Sequence, residues 1–477
     1  MTNKKENIRL LISLGLAGVM VAAILWLIGK FSSNLTPSSN SMPLSSLEPS
    51  ASLPEWMSLG GKILVTADKT ADKEAGVQAF ASNDFATAVT KFQSSLQINR
   101  NDPETLIYLN NAKIGKSPAL KVAIIAPIGR TLNEAKELLR GVAQAQDEVN
   151  NNGGINGVPL QLQIANVDNI EKLQELDNEF VKDSSLVAVV GFSRNEKIYN
   201  ERGLVRISLT SPMTQLGENQ TQPGQARHVF YASPNRDNFT QTLAEYIVKK
   251  ERRTNVAICQ ASTQQERSQE IKKQYANFIT KAGGKVTDIE CNLSAPNFRA
   301  SDFVTKAIAD GAEALLLMPR PDKIDSALDV ARESQGKLAL FGSQLMYGEK
   351  VLKFGQGDVK GMVLPVSWHH DINSNARGGN SFANKAVKLW GGQVSPRTAT
   401  AYDALQVIIA GLEEGSTRQS LQKVLSNPNF SATGATGKIQ FSPSGDRQGG
   451  VFLVKVEPCE STKSCSSSTG YDFVLVQ

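Results

Sequence analysis

The sequence predicts an α/β fold of two similar lobes, each built on a parallel sheet, preceded by a transmembrane helix and a short all-α segment. Three observations carry this reading. Short continuous apolar runs alternate with amphipathic stretches of helical length from about residue 119 onward. Their order repeats about 130 residues later. An uncharged run of twenty residues stands near the N-terminus. The 477 residues allow roughly three domains at ~100–200 residues each. With 40% apolar and 20% charged residues, most of the chain can bury a core. The net charge of +5 is too thin for a nucleic-acid binder, and the densest basic stretch, residues 249–253, is interrupted by Glu251. Four cysteines exclude a disulfide-stapled miniprotein.

Residues 10–29, LLISLGLAGVMVAAILWLIG, carry no charge. At ~1.5 Å per residue they span ~30 Å, one hydrocarbon core. Lys4, Lys5 and Arg9 precede the run and Glu6 is the sole acid there, which directs the N-terminus to the cytoplasm and the remainder outside. The alternative is a cleavable signal peptide, whose apolar region is usually ~7–15 residues. Trp26, Leu27 and Ile28 prolong the run, and Gly29-Lys30-Phe31 is a poor cleavage site. The expectation is an uncleaved single-pass anchor over residues 1–30 in the inner membrane, with the globular part on the periplasmic side. Residues 31–58 read as a Ser/Pro-rich linker: residues 31–54 hold nine serines, four prolines and one charge, Glu48. Such a segment cannot bury enough apolar area to offset its ordering entropy.

A helical segment follows over residues 59–118. Gly76, Phe80, Phe85, Ala88, Phe92 and Leu96 lie on a helix–turn–helix pattern, with Asn83-Asp84 at the turn. Asn101-Asp102-Pro103 opens a third helix. The segment resembles one tetratricopeptide repeat, about residues 69–102, plus the first helix of a second. Arg100 stands where that family usually has proline. Such arrays normally need about three repeats to stand alone, so this piece must pack on something else. Two readings remain open: a helical spacer docked on the main domain, or a groove for a partner peptide.

The main body spans residues 119–477. KVAIIAP, residues 121–127, is an apolar run of strand length, as expected of a strand buried on both faces. Thr131 and Glu134 have capping-box spacing. Leu132, Ala135, Leu138, Leu139, Val142 and Val149 then form one helical face, ended by Gly153-Gly154. Strands are expected at 160–167 and 186–190. NVAIC, residues 255–259, restarts the order, and Gly283-Gly284 repeat the paired glycines. Further strands are expected at 286–291, 314–318 and 338–341. Strand, helix and strand twice over give two lobes built alike. Ligands of such sheets bind beyond the carboxyl ends of the strands. The expected partition is lobe 1 over about 119–236 and 345–440, and lobe 2 over about 237–344 and 441–477.

Seven segments in order, KVAIIAPIGR, DEVNNNGGINGVPLQLQIANVD, VVGFSRN, ISLTSPMT, VFYASPNRDN, RTATAYDALQ and ATGKIQFSPSGDR, carry a resemblance. Over residues 120–477 the chain resembles the type I periplasmic solute-binding proteins of the leucine/isoleucine/valine-binding group. The resemblance implies two lobes joined by three crossovers and closing on a small-molecule ligand, with an ABC permease as the usual partner. It also implies site residues. The carboxylate of a ligand would meet the loop Ser193-Arg194-Asn195 at a helix start, where N–H groups and a bidentate arginine suit an anion. Thr210 and Ser211 correspond to the family's hydroxyl clamp, with Pro212 where threonine is common. Asp237 takes the place of the ammonium-binding aspartate, within one or two positions. The family's cleft tyrosine is replaced at Pro319-Arg320 and its cleft glutamate at Ser343-Gln344. These replacements tilt the cleft from branched-chain amino acids toward an anionic or amide-bearing ligand. The alternative for Arg194 is a solvent-facing side chain.

Other constellations weigh less. Trp368 either stacks on a ligand at the cleft rim or packs in the interior. His369, His370 and Asp371 are adjacent, and adjacent residues point apart, so no metal is expected. No GxSxG, Walker or GxGxxG motif is present, so neither an enzyme nor a cofactor is expected. Asp403 reads as a helix-start or interlobe hydrogen-bonding residue. Cys259 and Cys291 end neighbouring predicted strands, and Cys459 and Cys465 flank a five-residue loop of a predicted hairpin. An extracytoplasmic location permits two bridges, the second the more secure; the alternative is four free thiols. The expected function is a membrane-tethered receptor that captures a small polar solute for an ABC importer. The alternative is a sensing or scaffold ectodomain that recruits a partner protein through the helical arm.

Overall fold

The structure is a computed structural model. It describes residues 53–476 apart from 130, 168–169, 193–194, 211–225, 262–264, 373–380, 462–464 and 466. The expected membrane span, most of the linker, Ser193, Arg194 and Ser211 lie outside the described residues. Among the described residues no helix is long and apolar enough to cross a membrane.

The described chain begins with strand β1 (Met57–Ser58) and three helices, α1 (Ala71–Ala81), α2 (Phe85–Ile98) and α3 (Pro103–Ile114). Each helix starts on a side-chain cap: Thr70, Asp84 and Asp102 accept from the backbone N–H of Lys73, Thr87 and Thr105. Gly76 lets α1 meet the Phe92 ring of α2, since a Cβ there would lie 2.6 Å from it. α3 is buried along its whole length except Lys113. It packs on the first long helix of lobe 1 and on that lobe's sheet. Of the two readings of the arm, the structure therefore shows the docked one.

Lobe 1 contains β2 (Leu120–Ala126), α4 (Leu132–Asn151), β3 (Leu160–Asn166), α5 (Ile170–Lys182), β4 (Leu186–Gly191), α6 (Glu196–Arg202), β5 (Val205–Ser208) and β6 (Val229–Tyr231). Its sheet runs β1-β3-β2-β4-β5-β6. All pairs are parallel except β1 with β3, where Met57 faces Ala165 and Ser58 faces Ile164. Asn111 of α3 extends this edge: its Nδ2 donates to Leu59 O and Leu162 O at 2.7 and 2.8 Å, and its Oδ1 accepts from Leu162 N at 3.2 Å. The arm thus closes an edge that would otherwise invite pairing with another chain. Thr131 is the N-cap of α4 as its sequence position implies, but its side chain makes no capping bond.

Lobe 2 follows with α7 (Arg236–Glu245), β7 (Asn255–Gln260), α8 (Gln265–Lys281), β8 (Lys285–Val286), α9 (Ala300–Ala309), β9 (Ala314–Met318), α10 (Ile324–Ser334), β10 (Ala339–Gly342), α11 (Glu349–Gly355) and β11 (Val363–Val366). The chain returns to lobe 1 with α12 (Ser381–Trp390), α13 (Pro396–Glu413) and α14 (Arg418–Leu425). A small sheet of β12 (Ala432–Gly434), β13 (Gly437–Phe441) and β14 (Arg447–Gln448) comes next. Finally β15 (Phe452–Pro458) and β16 (Tyr471–Leu475) join lobe 2 antiparallel, in the order β16-β15-β11-β10-β9-β7-β8.

Two expectations need correction. The second lobe does not hand over at residue 344. β11 pairs parallel with β10 and antiparallel with β15, so lobe 2 runs on to Val366. The strand expected over 286–291 keeps only Lys285–Val286 in the ladder, plus one bridge between Gln260 and Asn292. Its central residues Asp288 and Glu290 are not buried, and a half-exposed edge gains little by full pairing.

Candidate functional site

Parallel strands deliver all their carboxyl ends to one end of a sheet, and both lobes do this here. In lobe 1 the loop after β4 reaches Asn195, which caps α6 by accepting from Ile198 N at 3.3 Å. Thr210 follows β5 and is exposed, held in a tight turn by Ser208, whose hydroxyl donates to Thr210 O at 2.9 Å. In lobe 2, Arg320 follows β9 and pairs with Asp322 at 3.1 Å. Gln344 follows β10 and is exposed. The topology thus puts Asn195 and Thr210 at the carboxyl ends of one sheet, and Arg320 and Gln344 at those of the other. Asp237 lies in the first turn of α7, just past the first crossing between the lobes, and its carboxylate accepts from the Gln274 side chain of α8.

Trp368 is not available at a rim. It is buried, its Nε1 donates to Ala435 O at 3.2 Å, and its ring meets Phe382 edge-on at 5.5 Å. The ring fills the space between the crossing after β11 and helix α12.

A buried polar cluster that the sequence reading did not foresee lies between α6, β5, β6 and α5 of lobe 1. Glu196, the first residue of α6, accepts from Tyr231 Oη at 2.6 Å and pairs with Arg206 Nη2 at 3.5 Å. The Arg206 guanidinium also lies over the Tyr199 ring, 5.3 Å from its centroid, and Tyr199 Oη donates to Asp177 at 2.5 Å. Burial, with the Glu196 charge beside it, pushes the Tyr231 phenol well up, so it remains a donor. The cluster ties the start of α6 to the end of β6. The one sequence signal for it is an arginine inside the apolar strand VRIS.

Asp403 of α13 is wholly buried. Its Oδ1 accepts from Ala435 N at 2.6 Å, and its Oδ2 accepts from Arg447 Nη1 at 2.9 Å and from the Thr436 hydroxyl. It sits in the middle of its helix rather than at a helix start, and its partners lie in the small sheet β12–β14 and the turn within it.

The nitrogen and carboxylate atoms of His369, His370 and Asp371 lie within 4.8 Å of one another. Both ring nitrogens of His369 are already engaged: Nε2 meets Phe473 O at 2.9 Å and Nδ1 accepts from Asp371 N at 3.2 Å. That pattern fixes a neutral ring with the proton on Nε2. Burial and the neighbouring His370 push its pKa down to about 4. Its geometry is that of a strut between the crossing after β11 and strand β16, with no lone pair left for a metal.

All four cysteines are bridged. Cys259 and Cys291 pair inside lobe 2 with Cα atoms 4.7 Å apart, and Cys459 and Cys465 pair at the β15–β16 hairpin with Cα atoms 5.2 Å apart.

The family model described as periplasmic binding protein matches residues 120–462, leaving the helical arm unassigned. No curated protein matches the sequence. Similar solved structures include a leucine binding protein from Thermotoga maritima, with 16% identity and a TM-score of 0.59 over 75% of this chain and 99% of that one. Another is the branched-chain amino acid transporter substrate binding protein from Streptococcus pneumoniae in complex with isoleucine, at 14% identity, TM-score 0.60, 75% and 100% covered. A third is a solute binding protein from R. palustris in complex with benzoate, at 13% identity, TM-score 0.57, 75% and 96% covered. At these identities the likeness establishes the fold.

Proposed function

The chain belongs to the periplasmic binding protein family, and from that premise we propose that it is a membrane-tethered, extracytoplasmic receptor that captures a small polar solute between its lobes for an ABC importer. One observation carries the reading. The chain crosses between the lobes three times, and each crossing joins the carboxyl-end side of both sheets: after Tyr231, after Val366, and before Phe452, which pairs with Val366. The loops that hold Asn195, Thr210, Arg320 and Gln344 sit at those same ends, so a solute held there touches both lobes at once. Arginine, glutamine and hydroxyl groups suit a carboxylate or an amide. The solved relatives with leucine, isoleucine or benzoate in their names bind small carboxylates of that kind. Arg194 and Ser193 join the same set as the anion-holding loop, and residues 10–29 supply the tether.

The scaffold alternative needs a free groove on the helical arm. Glu104, Tyr108 and Asn111 lie at i, i+4 and i+7 on one face of α3, and they hold residues 59–65 of the chain itself. Glu104 accepts from Leu64 N and Val65 N at 2.7 and 3.1 Å, and Tyr108 Oη donates to Lys62 O at 2.7 Å. That face is occupied, which favours the receptor reading.

A thermal-shift screen of amino acids, amides and small carboxylates, followed by small-angle scattering with each hit, tests the proposal. A hit that raises the melting temperature and compacts the protein supports it. Hits that stabilise without compaction would remove the clamp from the reading, and a complete absence of hits would remove solute capture.

A further inference from the structure

We propose that Asp403 and Arg447 form the pivot on which the two lobes turn, and that this pair limits the interlobe angles open to the chain. Two of the three crossings touch the pair directly, and the second reaches it through Ala435, whose N–H Asp403 binds. At the first, Ala232 O accepts from Arg447 Nη1 at 3.0 Å, and Pro234 pairs with Arg447 in a parallel bridge. At the second, Trp368 Nε1 donates to Ala435 O, while Ser367 Oγ lies 3.4 Å from Thr400 Oγ1 of α13. The third starts at Arg447 itself, in β14. Asp403 ties Arg447 to the turn between β12 and β13 through Ala435 N and the Thr436 hydroxyl.

The site is built tightly around the carboxylate. A side chain at Gly434 would collide with Asp403 Oδ1, and both charged side chains are shielded from water. A buried ion pair of this kind contributes little net stability, but its bonds are directional and fix geometry. The pair anchors the crossings to a lobe 1 helix and makes no bond to the lobe 2 sheet. Rotation of lobe 2 must therefore be taken up by backbone torsions just beyond Ala232, Trp368 and Arg447, the usual way a few residues absorb a domain motion.

The inference rests on the two-lobed clamp reading but is tested without any solute, so its failure leaves solute capture untouched. Because the native cysteines are all paired, Glu201→Cys on α6 and Lys306→Cys on α9 give one exposed label site in each lobe. Spin labels there, on the full chain in lipid nanodiscs, report the interlobe distance distribution by pulsed electron resonance. Arg447→Gln and Asp403→Asn are each expected to broaden it about twofold, and Trp368→Phe to broaden it less. Arg332→Gln, on the lobe 2 surface, serves as the control and leaves the width unchanged. A folded Arg447→Gln or Asp403→Asn protein with the parental width overturns the proposal. So does loss of fold in all three pivot variants, which would assign these residues to core stability alone.

Discussion

Gly141 of α4 lies directly against the Thr398 carbonyl of α13, with no room for a Cβ between them. The same Cβ would lie 2.6 Å from Tyr402 N. This contact sets the spacing of the two long helices of lobe 1, α4 and α13. Glu137 and Glu148 of α4 fix the register: Glu137 accepts from Ser395 Oγ at 2.8 Å and from the Thr398 hydroxyl, and Glu148 accepts from Tyr402 Oη at 3.0 Å. Gly141→Ala must push the helices apart and is expected to cost ~1–3 kcal/mol, the usual range for overpacking. Urea denaturation measures it; an unchanged midpoint would mean that the helices are not in this contact.

Lys73 is buried in the arm with its ammonium 2.7 Å from both Asp102 and Glu104. Burial alone pushes its pKa down, but the Glu104 and Asp102 charges outweigh that and hold it above the ordinary value. Lys73→Met keeps the packing and leaves two facing carboxylates uncompensated, an expected loss of ~3–5 kcal/mol. Burial already raises the Glu104 carboxyl, and removing the cation raises it further. A raised carboxyl favours folding at low pH and loses that support as pH rises, so the deficit should shrink from pH 7 to pH 5. Denaturation midpoints that show a constant deficit would contradict this account.

The uncharged run at residues 10–29 and the absence of a small-residue cleavage site lead us to expect an uncleaved anchor. Full-length protein should sediment with membranes, resist carbonate extraction and retain its original N-terminus on sequencing. A soluble form beginning after Phe31 would refute the anchor.

Much of the fold was legible because parallel strands buried on both faces read as continuous apolar runs, and KVAII and NVAIC repeat one another. The crossing after Val366 was not, because such a run has no label saying which sheet it joins. The loops after β4, β5, β9 and β10 were located by strand order and by a family resemblance. The buried polar contacts were not, because they depend on distant partners. Asp403 meets a guanidinium 44 residues on, and Glu196 meets a phenol 35 residues on. Glu104 captures backbone N–H groups about 40 residues earlier, and a backbone donor leaves no mark in a sequence.

The two bridges differ in access. Cys259 and Cys291 are buried, whereas Cys465 is exposed. A gentle reductant without denaturant should therefore free Cys459 and Cys465 for alkylation while Cys259 and Cys291 stay protected. Loop size predicts the stabilities: in the chain-entropy model the short bridge is worth about 2 kcal/mol and the long one about 4 kcal/mol. Peptide mapping after timed alkylation reads the order, and equal labelling of both pairs would sink it.

His369 provides the pH dependence with the clearest sign. In the folded chain it is neutral, fully buried, and held at about 4 by burial and by His370, against an ordinary value of 6.5. Asp371 and Asp472 face it and oppose this shift without reversing it. Between those two values the unfolded chain binds a proton that the folded chain refuses, so stability rises with pH across that window. The contribution is complete above pH 6.5 and is lost progressively as pH falls toward 4, by about 3 kcal/mol in all. Protonation would place a second N–H where Nδ1 now accepts from Asp371 N. His369→Gln keeps a donor for Phe473 O but cannot titrate, so its stability should fall less steeply than the parent's between pH 6.5 and 4. Carboxylates elsewhere contribute equally to both proteins, and the difference between their urea midpoints isolates this one ring. Parallel curves would show that His369 is not the neutral strut between the crossing and β16.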